Sequence, residues 1–248
     1  PYLSPAAADV AADLKLGTAD TVTPVDYGDV CINYDKDAFA DTTPPPADIG
    51  QLADPVYRGQ LVVENPATSS PGLAFLLATV ARFGETGEYT WRDYWRALVD
   101  NQVLVVDDWE TAYYTSFSGG AGEGDRPIVV SYATSPVAEV VFADPPIEEA
   151  PTVAVTDQCF RQVEYAGVLR GAKAPELARA LIDFMLSTEF QADIPLNMYV
   201  FPARPDVALP EVFIEHAARV AQPVILDSAD IGANRDRLVQ EWTDIVLR

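Results

Sequence analysis

Three short apolar runs organise the middle of this chain, and each leads through a polar turn into helical periodicity. Gln60-Leu61-Val62-Val63-Glu64 passes through Asn65-Pro66-Ala67-Thr68-Ser69-Ser70-Pro71-Gly72 into the apolar stretch Leu73 to Phe83. Val103-Leu104-Val105-Val106 passes through Asp107-Asp108-Trp109-Glu110 into Ala112-Tyr113-Tyr114, and Ile128-Val129-Val130-Ser131 runs into Tyr132-Ala133-Thr134-Ser135-Pro136. Strand, turn and helix in repetition predict an α/β fold with a parallel sheet. Such sheets bind ligands in the crevice beyond the carboxyl ends of their strands, so the three turns describe the ligand.

The flanking segments predict further elements. Residues 2–16 read as a short helix or the tail of one, and Val22 to Tyr34 as a strand interrupted by Asp26-Tyr27-Gly28. Asp41-Thr42-Thr43-Pro44-Pro45-Pro46 reads as a rigid connector, because successive prolines fix φ and remove donors. Tyr94, Trp95, Leu98 and Val99 form a helical stripe within Tyr89 to Asp100. Gly119 to Gly124 reads as a flexible loop and not a phosphate loop, since no Lys-Ser/Thr follows it. Phe160 to Leu169 predicts a strand. Pro175-Glu176 opens a helix with a stripe of Leu177, Leu181, Ile182, Met185 and Leu186. Ile194 to Pro202 reads as a loop carrying the exposed aromatics Tyr199 and Phe201. A last helix carries Leu238, Val239, Trp242, Ile245 and Val246 on one face.

Charge narrows the partners. The 248 residues include 38 acidic and 16 basic side chains, a formal net charge of −22. That surface repels nucleic acid and anionic lipid and favours cationic ligands. No apolar run is long enough to span a bilayer, and the start Pro1-Tyr2-Leu3-Ser4-Pro5 reads as one left by processing. Cys31 and Cys159 have no metal-ligand spacing. They read either as two buried thiols or as one disulfide in an oxidising compartment.

The turn chemistry favours binding over turnover. Ser69-Ser70-Pro71-Gly72 and Ser135-Pro136 place hydroxyls and proline at helix starts, where free N–H groups and the helix dipole can seat an anion or hydroxyl. Trp109 and Tyr132 follow their strands, where a ring can stack on a flat ligand or hold a cation for about 0.5–2 kcal/mol. The sole histidine, His216, lies in a segment that reads as a surface helix, so no Ser-His-Asp or Cys-His arrangement is predicted. Metal sites find no support, although Tyr113-Tyr114 would suit a ferric ion.

These stretches, with Pro24-Val25-Asp26-Tyr27-Gly28, Asn33-Tyr34-Asp35-Lys36, Gln162-Val163-Glu164, Phe184-Met185-Leu186-Ser187 and Tyr199-Val200-Phe201-Pro202, occur in an order that resembles the periplasmic thiamine-binding proteins of ABC importers. The resemblance implies the two-lobed type 2 periplasmic-binding-protein fold with crossing hinge strands. Its first lobe would comprise 1–29 and 163–248, without the family's N-terminal units, and its second 30–162. It implies an extracytoplasmic carrier, periplasmic or at the cell surface, with lipid anchoring left open. That carrier would be a monomer and not an enzyme, with no cofactor. It would close on thiamine, thiamine monophosphate or thiamine diphosphate and deliver it to a membrane permease.

By the same resemblance Ser69 matches a ligand-contacting serine, Trp109 the stacking tryptophan and Tyr132 a cleft tyrosine. Tyr199 stands where the family has a tryptophan, and Ala138 where it has a second stacking tyrosine. The ligand set is then Ser69, Ser70, Trp109, Tyr132, Ser135 and Tyr199, with Asp26 and Glu110 as second-rank partners for a positive charge. A Cys31–Cys159 bond would join the hinge strands. The alternatives are a ferric carrier using Tyr113 and Tyr114, and a thiamine-degrading enzyme, which needs a nucleophile at a crevice turn.

Overall fold

A computed structural model describes residues 2–16, 21–39 and 43–248. Its strands are β1 (Thr23–Asp35), β2 (Leu61–Glu64), β3 (Leu104–Val106), β4 (Ile128–Tyr132), β5 (Thr152–Ala166) and β6 (Phe201–Pro202). Its helices are α1 (Ser70–Phe83), α2 (Trp91–Asp100), α3 (Ser135–Phe142), α4 (Pro175–Met185), α5 (Thr188–Met198), α6 (Glu211–His216) and α7 (Ser228–Val246), with a π-helical turn at Thr111–Ser116. The sheet order is β3-β2-β4-β1-β5, with β6 beside β1. The three predicted strands form its parallel part, β2 lying between β3 and β4. β1 runs antiparallel to β4 and β6.

The chain divides into two units, Pro1–Gly28 with Gln162–Glu215 and Asp29–Arg161 with His216–Arg248. In the second unit, strand alternation sends successive side chains to opposite faces. Leu61, Val63, Ile128 and Val130 meet Phe75, Leu76, Trp95 and Leu98 of α1 and α2 on one face, while Val62 and Val129 meet Ala112, Tyr113 and Phe117 on the other. Residues 216–248, expected with the first lobe, group with this second unit. Trp242 is fully buried there, edge-on to Trp95 at 5.4 Å. Outside the core, Arg92 and Arg237 bridge Glu85 and Glu241, tying α2 to α7. The first unit has smaller cores, Val25 with Ile194 and Val200, and Leu14 with Leu186 and Ala203. Buried Gln191 fastens α5 to β1, its amide donating to the carbonyls of Val25 and Met185.

Other expectations change. Residues 2–16 hold two 3₁₀ turns rather than one helix. β1 is uninterrupted, because Asp26 and Tyr27 pair with Pro202 and Phe201 of β6. β5 begins at Thr152 and ends at Ala166. The predicted loop from Ile194 is the end of α5, in which Pro195 is tolerated, and Phe201 is buried rather than exposed. Ile182 of α4 and Leu186 at its C-cap are buried, whereas Leu177 and Leu181 are 72% and 56% exposed. The predicted stripe is thus split, since residues 181 and 182 point about 100° apart around a helix. The glycine-rich loop is packed rather than loose: a Cβ on Gly124 would lie 2.0 Å from the Ser116 carbonyl oxygen. Asp41 and Thr42 lie outside the described residues, and Pro44 to Pro46 are irregular as expected.

Candidate functional site

The turns after β2 and β3 are tied into one rim. The Asn65 N–H donates to the Val106 carbonyl at 2.7 Å, and the Thr68 hydroxyl to the Asp107 carbonyl at 2.6 Å. Ser69 is the N-cap of α1, its hydroxyl accepting from the Gly72 N–H, while Ser70 is exposed beside Pro71 in the first turn. Gly72 lets this turn sit directly on the strand end. A Cβ there would meet the Glu64 carbonyl oxygen at 2.4 Å. Gly72→Ala is therefore expected to destabilise the protein by about 2 kcal/mol through overpacking against backbone that cannot withdraw. A urea midpoint unchanged from wild type would refute that close approach.

Trp109 is held from two directions. Its indole N–H donates to the Ser131 hydroxyl at 2.8 Å, and that hydroxyl lies 2.7 Å from the Ser135 hydroxyl. Its ring stacks on Tyr113 at 5.0 Å and 20°, with Tyr114 edge-on at 5.4 Å. The half-buried indole therefore has a set orientation before any ligand arrives, which removes an ordering cost from binding. Ser135 is itself buried and also accepts from the Tyr132 N–H, so its hydroxyl positions Trp109 instead of standing free.

Tyr132 does not join Trp109 on the same side of the sheet. It packs against the α1–α2 core, whereas Trp109 packs with Val62, Val129 and Tyr113. Tyr199 belongs to the other unit. It ends α5 in a left-handed conformation with φ 53°, uncommon for a residue with a Cβ and a frequent mark of a functional position. Of the second-rank carboxylates, Glu110 is exposed next to Trp109 and Asp26 is buried in the first unit. Burial, reinforced by Glu164, raises the Asp26 carboxyl to about 7.

Three contributors were missed from sequence: Ser131, Tyr113 as a stacking partner, and Glu64. Glu64 pairs in register with Val106 and follows Val62 by two, and both valines belong to the Trp109–Tyr113 cluster. Glu64 therefore faces that cluster, fully buried, with neither carboxylate oxygen hydrogen-bonded to another residue. Burial, with Asp108 adding to it, raises its carboxyl to about 8. The available signal was a lone charged residue closing an otherwise apolar buried strand.

Cys31 and Cys159 form a disulfide, so neither supplies a thiolate. Burial, followed by Glu139, pushes the Tyr113 phenol upward, which opposes its use as a phenolate ligand. Among the described residues no group of three or more His, Cys, Asp and Glu is placed to hold a metal ion. No described helix is long and apolar enough to cross a membrane.

Over residues 1–222 the sequence matches the family of bacterial extracellular solute-binding proteins. The chain belongs to this family. The "Thiamine-binding periplasmic protein" of Salmonella typhimurium is 30% identical over 229 residues, spanning 92% of this chain and 65% of the relative. A solved "Periplasmic thiamin binding protein" superposes with a TM-score of 0.78 at 28% identity, covering 96% of this chain and 71% of that one. A "Ferric binding protein from Campylobacter jejuni" shares the fold, with a TM-score of 0.73, 16% identity, and coverage of 99% and 76%. The extracellular solute-binding family and the type 2 periplasmic-binding fold agree with the sequence reading. The family and the named relatives are binding proteins, in keeping with the reading of the turns as a binding site.

Proposed function

We propose that this protein is the extracytoplasmic binding component of an ABC importer and carries thiamine, or its mono- or diphosphate, to a membrane permease. The observation that carries the reading is the fixed Trp109 platform at the strand ends, anchored through Ser131 and backed by Tyr113. A flat ring bearing a delocalised positive charge gains stacking and cation–π attraction from such an indole. Ser70 and the N-terminus of α1, at the same rim, suit the hydroxyl or phosphate end of the ligand. The names of its relatives point to the same ligand.

Calorimetric titration with thiamine and its two phosphates tests the reading. Sub-micromolar binding is expected, weakened about 10- to 100-fold in Trp109→Ala, as loss of 1.4–2.7 kcal/mol implies. Tyr199→Ala, read by the same titration, tests its stacking role. Absence of binding to all three compounds would overturn the thiamine reading. The iron alternative predicts a coloured complex, and the raised Tyr113 phenol disfavours it.

A further inference from the structure

A carboxyl group buried without a hydrogen-bond partner is costly, and proteins keep one where a function uses it. Glu64 is such a group. Its side chain enters the layer that holds Trp109, at the carboxyl end of β2, and neither of its oxygens is paired with another residue. The same side of β4 offers Ser131, whose hydroxyl is already engaged by the Trp109 indole and Ser135. The charged groups on neighbouring elements add no cation. The turn after β3 presents Asp107, Asp108 and Glu110, Tyr113 lies in the π-helical turn, and α3 contributes Glu139 behind it. The α1 N-terminal turn carries no ionisable side chain, only the positive end of the helix dipole.

We propose that Glu64 reads the charge of the ligand: it favours flat rings carrying a fixed positive charge and loses its proton when one settles on Trp109. The identity of the ring rests on the function proposed above, whereas the charge rule follows from the buried carboxyl. In the step, the carboxyl O–H bond breaks, the proton leaves to the buffer, and the carboxylate remains as counter-charge to the ligand. Glu64 acts here as a positioning charge across a poorly screened layer, not as a contact residue. The unliganded group, raised to about 8 by burial, is mostly protonated at pH 7. A bound cation lowers that value. Affinity for cations therefore rises with pH, approaching tenfold per pH unit below the unliganded value. Affinity for a neutral ring of the same shape stays flat.

The test is titration of the protein at pH 7 in buffers of different ionisation enthalpy, with thiamine and with N-benzylpyridinium as probes. In parallel, carboxyl-carbon NMR follows Glu64, assigned from Glu64→Gln. About 0.4 proton or more released per thiamine, as a midpoint falling from about 8 by at least one pH unit requires at pH 7, supports both readings. Thiamine binding with no proton release and an unmoved midpoint overturns the charge rule and leaves thiamine intact. No thiamine binding, but a midpoint lowered by N-benzylpyridinium, overturns thiamine and supports the charge rule. If neither cation moves the midpoint and thiamine does not bind, both fail. The wild-type NMR readout stands even if Glu64→Gln does not fold, since assignment can then come from backbone correlation.

Discussion

Replacing Cys31 and Cys159 with Ala, or reducing their bond, is expected to lower the stability of the second unit by about 5 kcal/mol. The bond joins β1 to β5 across a sequence separation of 128 residues. Closing a loop of that size removes much of the conformational freedom of the unfolded chain, and the loss grows only slowly beyond 100 residues. Within the fold, the bridge packs with Ala133, Ala218 and Val220, so the two alanines leave only a small cavity. Most of the effect should therefore come from the unfolded state. Guanidinium unfolding with and without a phosphine reductant measures it, and the Cys-free double variant should match the reduced protein. A reduced midpoint equal to the oxidised one would show that the bond contributes nothing. Two reactive thiols in untreated protein would show that it does not form.

Arg161→Ala should cost about 3–5 kcal/mol, close behind the disulfide. The guanidinium of Arg161 grips Asp29 with two bonds, Nε to Oδ1 and Nη2 to Oδ2, both 2.9 Å. Asp29 is 2% exposed and Arg161 14%. The pair itself contributes little net stability against an apolar replacement of equal shape, because both charges lost their hydration on folding. Removing one partner is different, since it strands a carboxylate in a site that water cannot reach. Arg161→Met combined with Asp29→Leu should accordingly lose less than Arg161→Ala alone. Such non-additivity in urea unfolding, read as a double-mutant cycle, is the signature. A double variant as unstable as the sum of its singles would mean that the two residues act separately.

The parts of this fold that showed in the sequence are those where local rules and tertiary structure agree. β2 and β4 are apolar runs because both of their faces are covered, and α1 starts where Ser69, Pro71 and Gly72 give a cap, a fixed φ and a close approach. The Trp109 turn was legible for the same reason, as an aromatic left at a strand end. Other features depend on partners far along the chain. Nothing near Asp26-Tyr27-Gly28 announces β6, whose two pairings carry β1 through that stretch. The apolar face of α7 is plain in the sequence, but amphipathicity does not say which core will receive it, and Trp95 decides that. Leu177 and Leu181 satisfied a helical stripe while remaining exposed. Glu64 escaped notice because a carboxylate at a strand end reads as a solvated edge until the Trp109–Tyr113 cluster is placed over it.

The assignment of α7 to the second unit has a consequence for how the molecule is made. Neither unit is a continuous stretch: the second opens at Asp29, is left at Arg161 and is completed only after His216. The fully buried Trp242 fills a core whose other buried walls are Leu238, Phe160 and residues between 30 and 130. A ribosome must therefore emit the chain through Trp242 before that core can shut, and until then Trp95 lacks its edge-on partner. The complete second unit forms only once α7 is available. A segment that ends in an unfilled Trp95 cavity must wait for its own last helix before it gains the full stability of this unit.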